Sequence, residues 1–467
     1  MRGAGNRAGF DFSGTGGAIR MVRRGIFHLV IWMLLGVCVR GASRDCFENA
    51  AYHYLKAAAL VPNPRTAEQF DMLMFARTEM RDLPPQGFNA WPEAARWLLR
   101  QDAVLEALAR ATRCKRCVFD ISREPSPTLR LDHLGVMRRL IHYGMAVSKA
   151  YEYAQNPRTA AEIYGYLLRL IFDLDQDRNL NSALVAVDEL QLIMDELVPF
   201  LERTDDADAA LRVMRVLRTK SRPAFHLGEY LREESRRFSR WLLMDPDAAV
   251  EKLNRLYGQQ EHRPAVDRLL AVEGAEREEL LRRWVMDYES RMIRLADAVE
   301  RPYLKGISIV RTMDRHRETL VRAGGSLPAG ANPLVPLLQP SMERVYQRML
   351  LAEGQIEALR LLCAASIYRS GKGRWPLSTA ELYQGKEQRV PRDPFSGQEL
   401  YYRLVRSRPR IVIRVPRWMA RGEMFHYIFD LSEIRERQQR NLESLVKRIR
   451  LTAAGQATPN VPVPAGR

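Results

Sequence analysis

From residue 128 to 300 the chain alternates apolar and polar positions with a period close to 3.6 and shows no run of period two. That pattern predicts a series of amphipathic helices. "LDHLGVMRRLIHYGMAVSKAYEYA" should end at Asn156-Pro157, "RTAAEIYGYLLRLIFDLDQ" and "NLNSALVAVDELQLIMDELVPFLERT" follow, and "DADAALRVMRVLRTK" opens after an Asp-rich cap. "AFHLGEYLREESRRFSRWLLM" and further segments continue to Val299. Upstream, "AAYHYLKAAALV" places Tyr52, Leu55, Ala59 and Leu60 on one face, and a long helix with Pro92 in its first turn should run through "EAARWLLRQDAVLEALARAT". Pro is tolerated there because its missing N–H would have no helical partner. Trp97, Tyr164, Tyr166, Trp241 and Trp284 fall inside these helices and read as core. Neighbouring helices with short links pack as a bundle or array.

The pattern changes near residue 324. "GGSLPAGANPLVPLLQPS" is Gly/Pro-rich and reads as a linker or irregular loop over 324–341. Another long helix follows from Met342 to Ser370. In "RIVIRVPRWMA", Ile411, Ile413 and Val415 alternate with Arg410, Val412 and Arg414, a strand signal, and "EMFHYIFDL" is also strand-like. The expected fold class is therefore mainly α: a multi-helix bundle or array over 44–323, then a long helix with a small C-terminal α+β module over 342–432. A charged helix over 433–451 and a disordered tail over 452–467 would complete the chain.

Between that helix and the strands lies "GRWPLSTAELYQGKEQRVPRDPFSGQELYYR". Gly373 can end the helix with backbone freedom. Trp375-Pro376 makes an extended turn and buries a large ring. Ser378 and Glu381 have capping-box spacing. Asp393-Pro394 makes a turn in which the carboxylate accepts backbone N–H groups, Phe395 anchors it, Gly397 supplies a positive φ, and Tyr401 starts a strand. Asp393 reads as a turn-former, since a lone carboxylate is a poor catalyst.

The N-terminus carries a different signal. Residues 1–20 have no periodicity and read as a disordered extension, with Met21 an alternative start. Met21-Val22-Arg23-Arg24 precedes "GIFHLVIWMLLGVCV", an apolar run from Gly25 to Val39, and Gly41-Ala42-Ser43 follow. Residues 21–43 thus read as a signal peptide cleaved after Ser43 or as an uncleaved N-terminal membrane anchor. Either places the bulk of the chain outside the cytoplasm, with Arg23 and Arg24 inside. A lipobox at Cys38 is opposed by the bulk of Val37, and a prepilin cleavage site by Val30 in place of an acidic residue.

Charge adds less. The net formal charge is +17, and only 9 of the 73 basic residues are Lys. Anionic polymer, lipid and nucleic acid all fit such a balance, which alone does not choose among them. The arginines do not cluster around stacking aromatics, so nucleic acid is disfavoured. Arg403, Arg406, Arg408, Arg410, Arg414, Arg417 and Arg421 offer a patch for an anionic polymer or lipid.

Candidate chemistry is sparse. Cys114-Lys115-Arg116-Cys117 is a CxxC motif among cations, read as a local disulfide or a thiol pair because zinc would need two more ligands and a redox dithiol a βαβ setting. Cys46 and Cys363 could also pair. Asp173-x-Asp175-x-Asp177-x-Asn179-x-Asn181 has the spacing of a calcium loop, but Arg178 stands where the sharp turn needs Gly and Leu184 where the bidentate Glu belongs, so it reads as a polar helix–helix turn. No G-x-S-x-G, P-loop or H-E-x-x-H motif occurs. No catalytic residue, cofactor or metal site is expected.

Two resemblances follow. Tyr368, Gly373, Trp375-Pro376, Leu382, Pro391, Asp393-Pro394-Phe395, Gly397 and Tyr401-Tyr402 resemble the globular segment of type II secretion major pseudopilins over residues 345–403. The calcium loop that follows in that family is replaced here by "RSRPRIVIRVPRWMARGE", so no calcium ligand is implied. Over most of the chain, the N-terminal segment, "ENAAYHYLKAAAL", "RCKRCVFD", the helices, "NPLVPLLQPSMERV" and the Asp-Pro-Phe-x-Gly element resemble planctomycete-type helical envelope proteins. That resemblance implies architecture and location and no activity. The expected function is a non-enzymatic cell-envelope scaffold or interaction protein, with the membrane met through residues 21–43 and protein partners in the envelope. A link to secretion or pilin-like assembly would follow from the first resemblance. The alternatives are the basic surface above and a hydrolase whose site is assembled from distant residues.

Overall fold

The computed structural model describes residues 49–62, 92–119, 131–220, 223–258, 262–272, 274–322, 327–383, 389–405, 408–413, 428–429 and 443. The expectations for 1–20, 21–43, 433–451 and 452–467 lie outside these residues, apart from Glu443. Among the described residues no helix is long and apolar enough to cross a membrane.

The chain is mainly helical. It begins with α1 (Ala50–Leu60), α2 (Pro92–Leu98) and α3 (Asp102–Arg113). The single helix expected from Pro92 is thus two, because the chain turns at Leu99–Gln101, where Gln101 bonds back to the Trp97 carbonyl and Asp102 opens the next first turn. The buried face of α1 is Ala50, Tyr54 and Ala57, whereas Ala59 and Leu60 are exposed. The predicted face of Tyr52, Leu55, Ala59 and Leu60 is therefore rotated. α1 packs along α3, whose buried face includes Ala107, Leu108 and Ala111, and short side chains on both helices let them approach closely.

Then come α4 (Asp132–Tyr153), α5 (Pro157–Leu174), α6 (Leu180–Arg203) and α7 (Ala207–Thr219), near their expected limits. The caps explain the accuracy. Asn156 accepts from the Thr159 N–H with Pro157 at the first helical position, Asn179 accepts from Asn181 and Ser182, and Asp206 from Asp208 and Ala209. A second group comprises α8 (Leu227–Met244), α9 (Pro246–Tyr257), α10 (Arg263–Leu270), α11 (Gly274–Val299) and α12 (Tyr303–Val321), with α8 packed along α11.

The stretch 324–341, expected as a linker or loop, holds a short helix, α13 (Leu334–Leu338), with all five residues buried. Asn332 caps it and also donates to the Trp284 carbonyl and the Asp287 carboxylate of α11. The apolar LVPLL core outweighs the flanking Gly and Pro.

The long helix α14 (Met342–Lys372) packs against α6, α7 and α12 and so sits within the array rather than beyond it. Its N-terminus has no cap of its own. Asp314 of α12 accepts from the backbone N–H groups of Met342 and Glu343. In turn α14 satisfies the ends of other helices. Arg360 donates to the Leu217 carbonyl at the end of α7 (2.8 Å), and Arg369 to the Glu202 and Thr204 carbonyls at the end of α6. Terminal carbonyls lack intrahelical partners and attract cations, so these arginines act as C-caps supplied from another helix. α15 (Thr379–Tyr383) leads to an antiparallel sheet of β1 (Tyr401–Val405), β2 (Arg408–Val412) and β3 (Ile428–Phe429) in that order. Ile411 and Ile413 are buried as the alternation predicts, and β2 contacts α14.

Candidate functional site

The turn module is built as a set of local ties. Gly373 ends α14 at φ 69° and its N–H bonds the Arg369 carbonyl. The Arg369 guanidinium lies 4.2 Å from the centre of the Trp375 ring, which stays partly exposed under that cover rather than fully buried. Pro376 is buried, and its carbonyl accepts from the Tyr402 hydroxyl at 2.9 Å. Glu381 accepts from Tyr368 (2.7 Å) and Arg374 (3.1 Å), and bonding from Tyr368 and from the Leu377 backbone holds its carboxyl below the usual range.

Asp393 is buried. Its carboxylate accepts from the Phe395 N–H, and its own N–H and carbonyl bond Gln398 and Gly397. Gly397 adopts φ 72°, as the turn requires. Pro394 is half-buried beside it. Phe395 reaches from the module to α12. Its ring meets Tyr303 of α12 edge-on at 5.1 Å, and Tyr303 in turn packs on Tyr346 of α14. Tyr401 is exposed and Tyr402 buried, the alternation of a half-buried strand.

The expected basic patch is only partly in view. Arg406, Arg414, Arg417 and Arg421 lie outside the described residues. Arg403 and Arg410 face each other across the β1–β2 ladder, with Arg403 near the Tyr401 ring. Arg408 instead approaches Glu202 of α6 at 3.9 Å. Burial pushes Glu202 up to about 7, opposed by Arg408, Arg203 and Arg369. One expected member of the patch thus remains exposed while standing beside a carboxylate of the array.

The polar turn between α5 and α6 holds a cluster of buried charge. Asp173 accepts from the Tyr54 hydroxyl (2.7 Å) and from Gln176 (2.9 Å) and forms an ion pair with Arg169 (3.0 Å). Asp175 pairs with Lys220 (2.7 Å) and Asp177 with His133 and Ser182, both at 2.8 Å. The three carboxylates point to three different partner sets, so the calcium-like spacing serves helix–helix ties. Burial raises Asp173 and Asp175 against those cations. Among the described residues no three His, Cys, Asp or Glu side chains form a group able to hold a metal ion.

Cys114 and Cys117 carry thiols and form no disulfide. Cys117 is buried, and burial first and Asp173 second push its thiol well above the ordinary range, which makes it a poor nucleophile. Cys363 is likewise a buried thiol on α14 and not half of a disulfide; Cys46 lies outside the described residues.

A further set was not anticipated. α4 and α6 face each other through Arg138–Glu189 (3.2 Å), His142–Glu189 (3.0 Å), Lys149–Glu196 (2.5 Å) and Glu152–Arg203 (2.7 Å). Lys149 and Glu196 are almost wholly buried, and desolvation pushes Glu196 up to about 8 despite Lys149. α14 joins the seam through Arg348 to Asp188 and Gln355 to Gln191. The available signal was the recurrence of Asp-Glu at 188–189 and 195–196, one face of a helix at seven-residue spacing.

Comparison with family models, curated proteins and solved structures finds no match to this chain.

Proposed function

We propose that this protein is a non-enzymatic scaffold of the cell envelope, held at the membrane through residues 21–43 and built to present surfaces to protein partners. One observation carries the scaffold reading: the buried ionisable groups tie helices distant in sequence to one another. Asp173 joins α1 to α5, Asp314 joins α12 to α14, and Lys149–Glu196 joins α4 to α6. A rigid body results, since removing either member of a buried pair strands the other. The envelope part rests on the basic-then-apolar pattern of residues 21–39.

The order of elements from α14 through the Asp393 turn to Tyr401 supports a finer reading. In it the module is a pseudopilin-like docking piece linked to secretion or pilin-like assembly. Fractionation of cells carrying a C-terminally tagged chain, with external protease and N-terminal sequencing, tests the envelope reading. Protease access together with retention in carbonate-washed membranes is the expected result. A soluble exported product starting near Arg44 would replace the anchor by a cleaved signal, and a protected cytosolic product would overturn the reading.

A further inference from the structure

The segment after α3 is a rigid, cationic tip beside the point where the chain enters the described body. Arg113, Lys115 and Arg116 are exposed, and Val118 is a large apolar side chain left 47% exposed among them. The backbone beneath them is fixed on several sides. The Ala50 N–H bonds the Arg116 carbonyl (2.8 Å), and Asn49 both donates to the Val118 carbonyl (2.7 Å) and accepts from its N–H (2.9 Å). Gln176 accepts from the Cys117 N–H, and Arg169 donates to the Cys114 carbonyl. Among the described residues, Asp173 and Asp177 are tied beneath the surface and Glu106 is held by Arg110.

Asn49 sits against this tip, and the apolar run ends at Val39. The ten steps between them span at most about 35 Å of extended chain. A body tethered through Gly25–Val39 therefore keeps the tip within that distance of the bilayer surface. Cations with one apolar side chain suit an interfacial setting, where apolar atoms enter the headgroup boundary and cations meet lipid phosphates. We propose that Arg113, Lys115, Arg116 and Val118 dock on anionic lipid headgroups and orient the scaffold on its membrane; the proposal rests on the anchor reading above. Each basic side chain near such a surface strengthens attachment about fivefold, and salt screens the effect.

The full-length chain is reconstituted into neutral phosphatidylcholine vesicles and into mixed phosphatidylcholine–phosphatidylglycerol vesicles. Trypsin cleavage after Lys115 and Arg116 is mapped by mass and normalised to cleavage after the exposed Lys372. Cleavage at the tip about fivefold or more slower on mixed vesicles, restored at high salt, is the expected result. Equal normalised cleavage on both vesicles, with the chain floating on both, overturns headgroup docking and leaves the anchor in place. A chain that floats with neither vesicle overturns the anchor and the docking together. Protection of the tip by a free polynucleotide and not by mixed vesicles reassigns the surface and overturns the lipid proposal.

Discussion

The seam between α4 and α6 and the turn module after α14 are stabilised in opposite ways. In the seam, ionisable groups such as Lys149 and Glu196 lie almost out of reach of water and depend on a partner nearly fifty residues away. In the module, most bonds close within about ten residues, as in the Asp393 turn, and one ring, Phe395, reaches the array. Long-range buried pairs make an array all-or-none. Local turns can keep their shape while their docking contact is lost.

The sharpest way to break this contrast is Lys149→Met, which leaves Glu196 buried without its cation. Breaking a buried pair costs about 3–5 kcal/mol, and urea denaturation should show the loss across the whole array. The double variant K149M/E196L should recover most of it, since an apolar pair of similar volume is often neutral. A double variant no more stable than the single one would mean that the charge pair itself is not the cause.

Phe395→Ala should cost up to about 3 kcal/mol, the lower end for removing a buried aromatic side chain. The loss should be local. Hydrogen exchange should rise over 389–405 while α4–α6 stay protected, and equal loosening of both regions would erase the contrast. Gly397→Val forces a β-branched residue into φ 72° and should cost about 1–2 kcal/mol. Trp375→Ala should cost about 1 kcal/mol or more, because the partly buried ring loses its contact with Arg369 and its packing against the core. Unchanged melting of both variants would sink the account of the module as a folded element.

A separate effect concerns pH. Burial raises Glu353 on α14 to about 7 from 4.5, against the Phe225 N–H that its carboxylate accepts. A carboxyl with a raised folded value binds its proton more tightly when folded. Its stabilising contribution is complete below 4.5 and fades as pH rises toward 7. Stability should therefore fall between pH 5 and pH 7 by roughly one protonation linkage, and Glu353→Gln should flatten that slope. An equally steep slope in the variant would assign the effect to other raised carboxyls, Glu196 first and then Glu202 and Glu234.

How much was legible follows the same division. Asn156-Pro157, Asn179 and Asp206 announced their helices because a cap acts on N–H groups two or three residues away. Gly373, Asp393 and Gly397 announced the turns for the same local reason. LVPLL was misread as linker because flanking Gly and Pro suggest a loop, while only neighbours on α11 and α12 explain its burial. Trp375 was expected inside, and its position under Arg369 depends on how α14 meets the end of α6.

By itself the sequence determined a mainly helical chain, most helix limits, the strand pair and the Asp393 turn, because periodicity and capping are properties of short segments. The tertiary structure decided that α14 lies inside the array and that Asp173, Asp175 and Asp177 part toward Arg169, Lys220 and His133 rather than converge. It also decided that Arg408 stands beside Glu202 and that Arg113, Lys115 and Arg116 share one exposed tip. Burial and charge pairing depend on which distant segments meet, and spacing along a chain does not encode distance between helices.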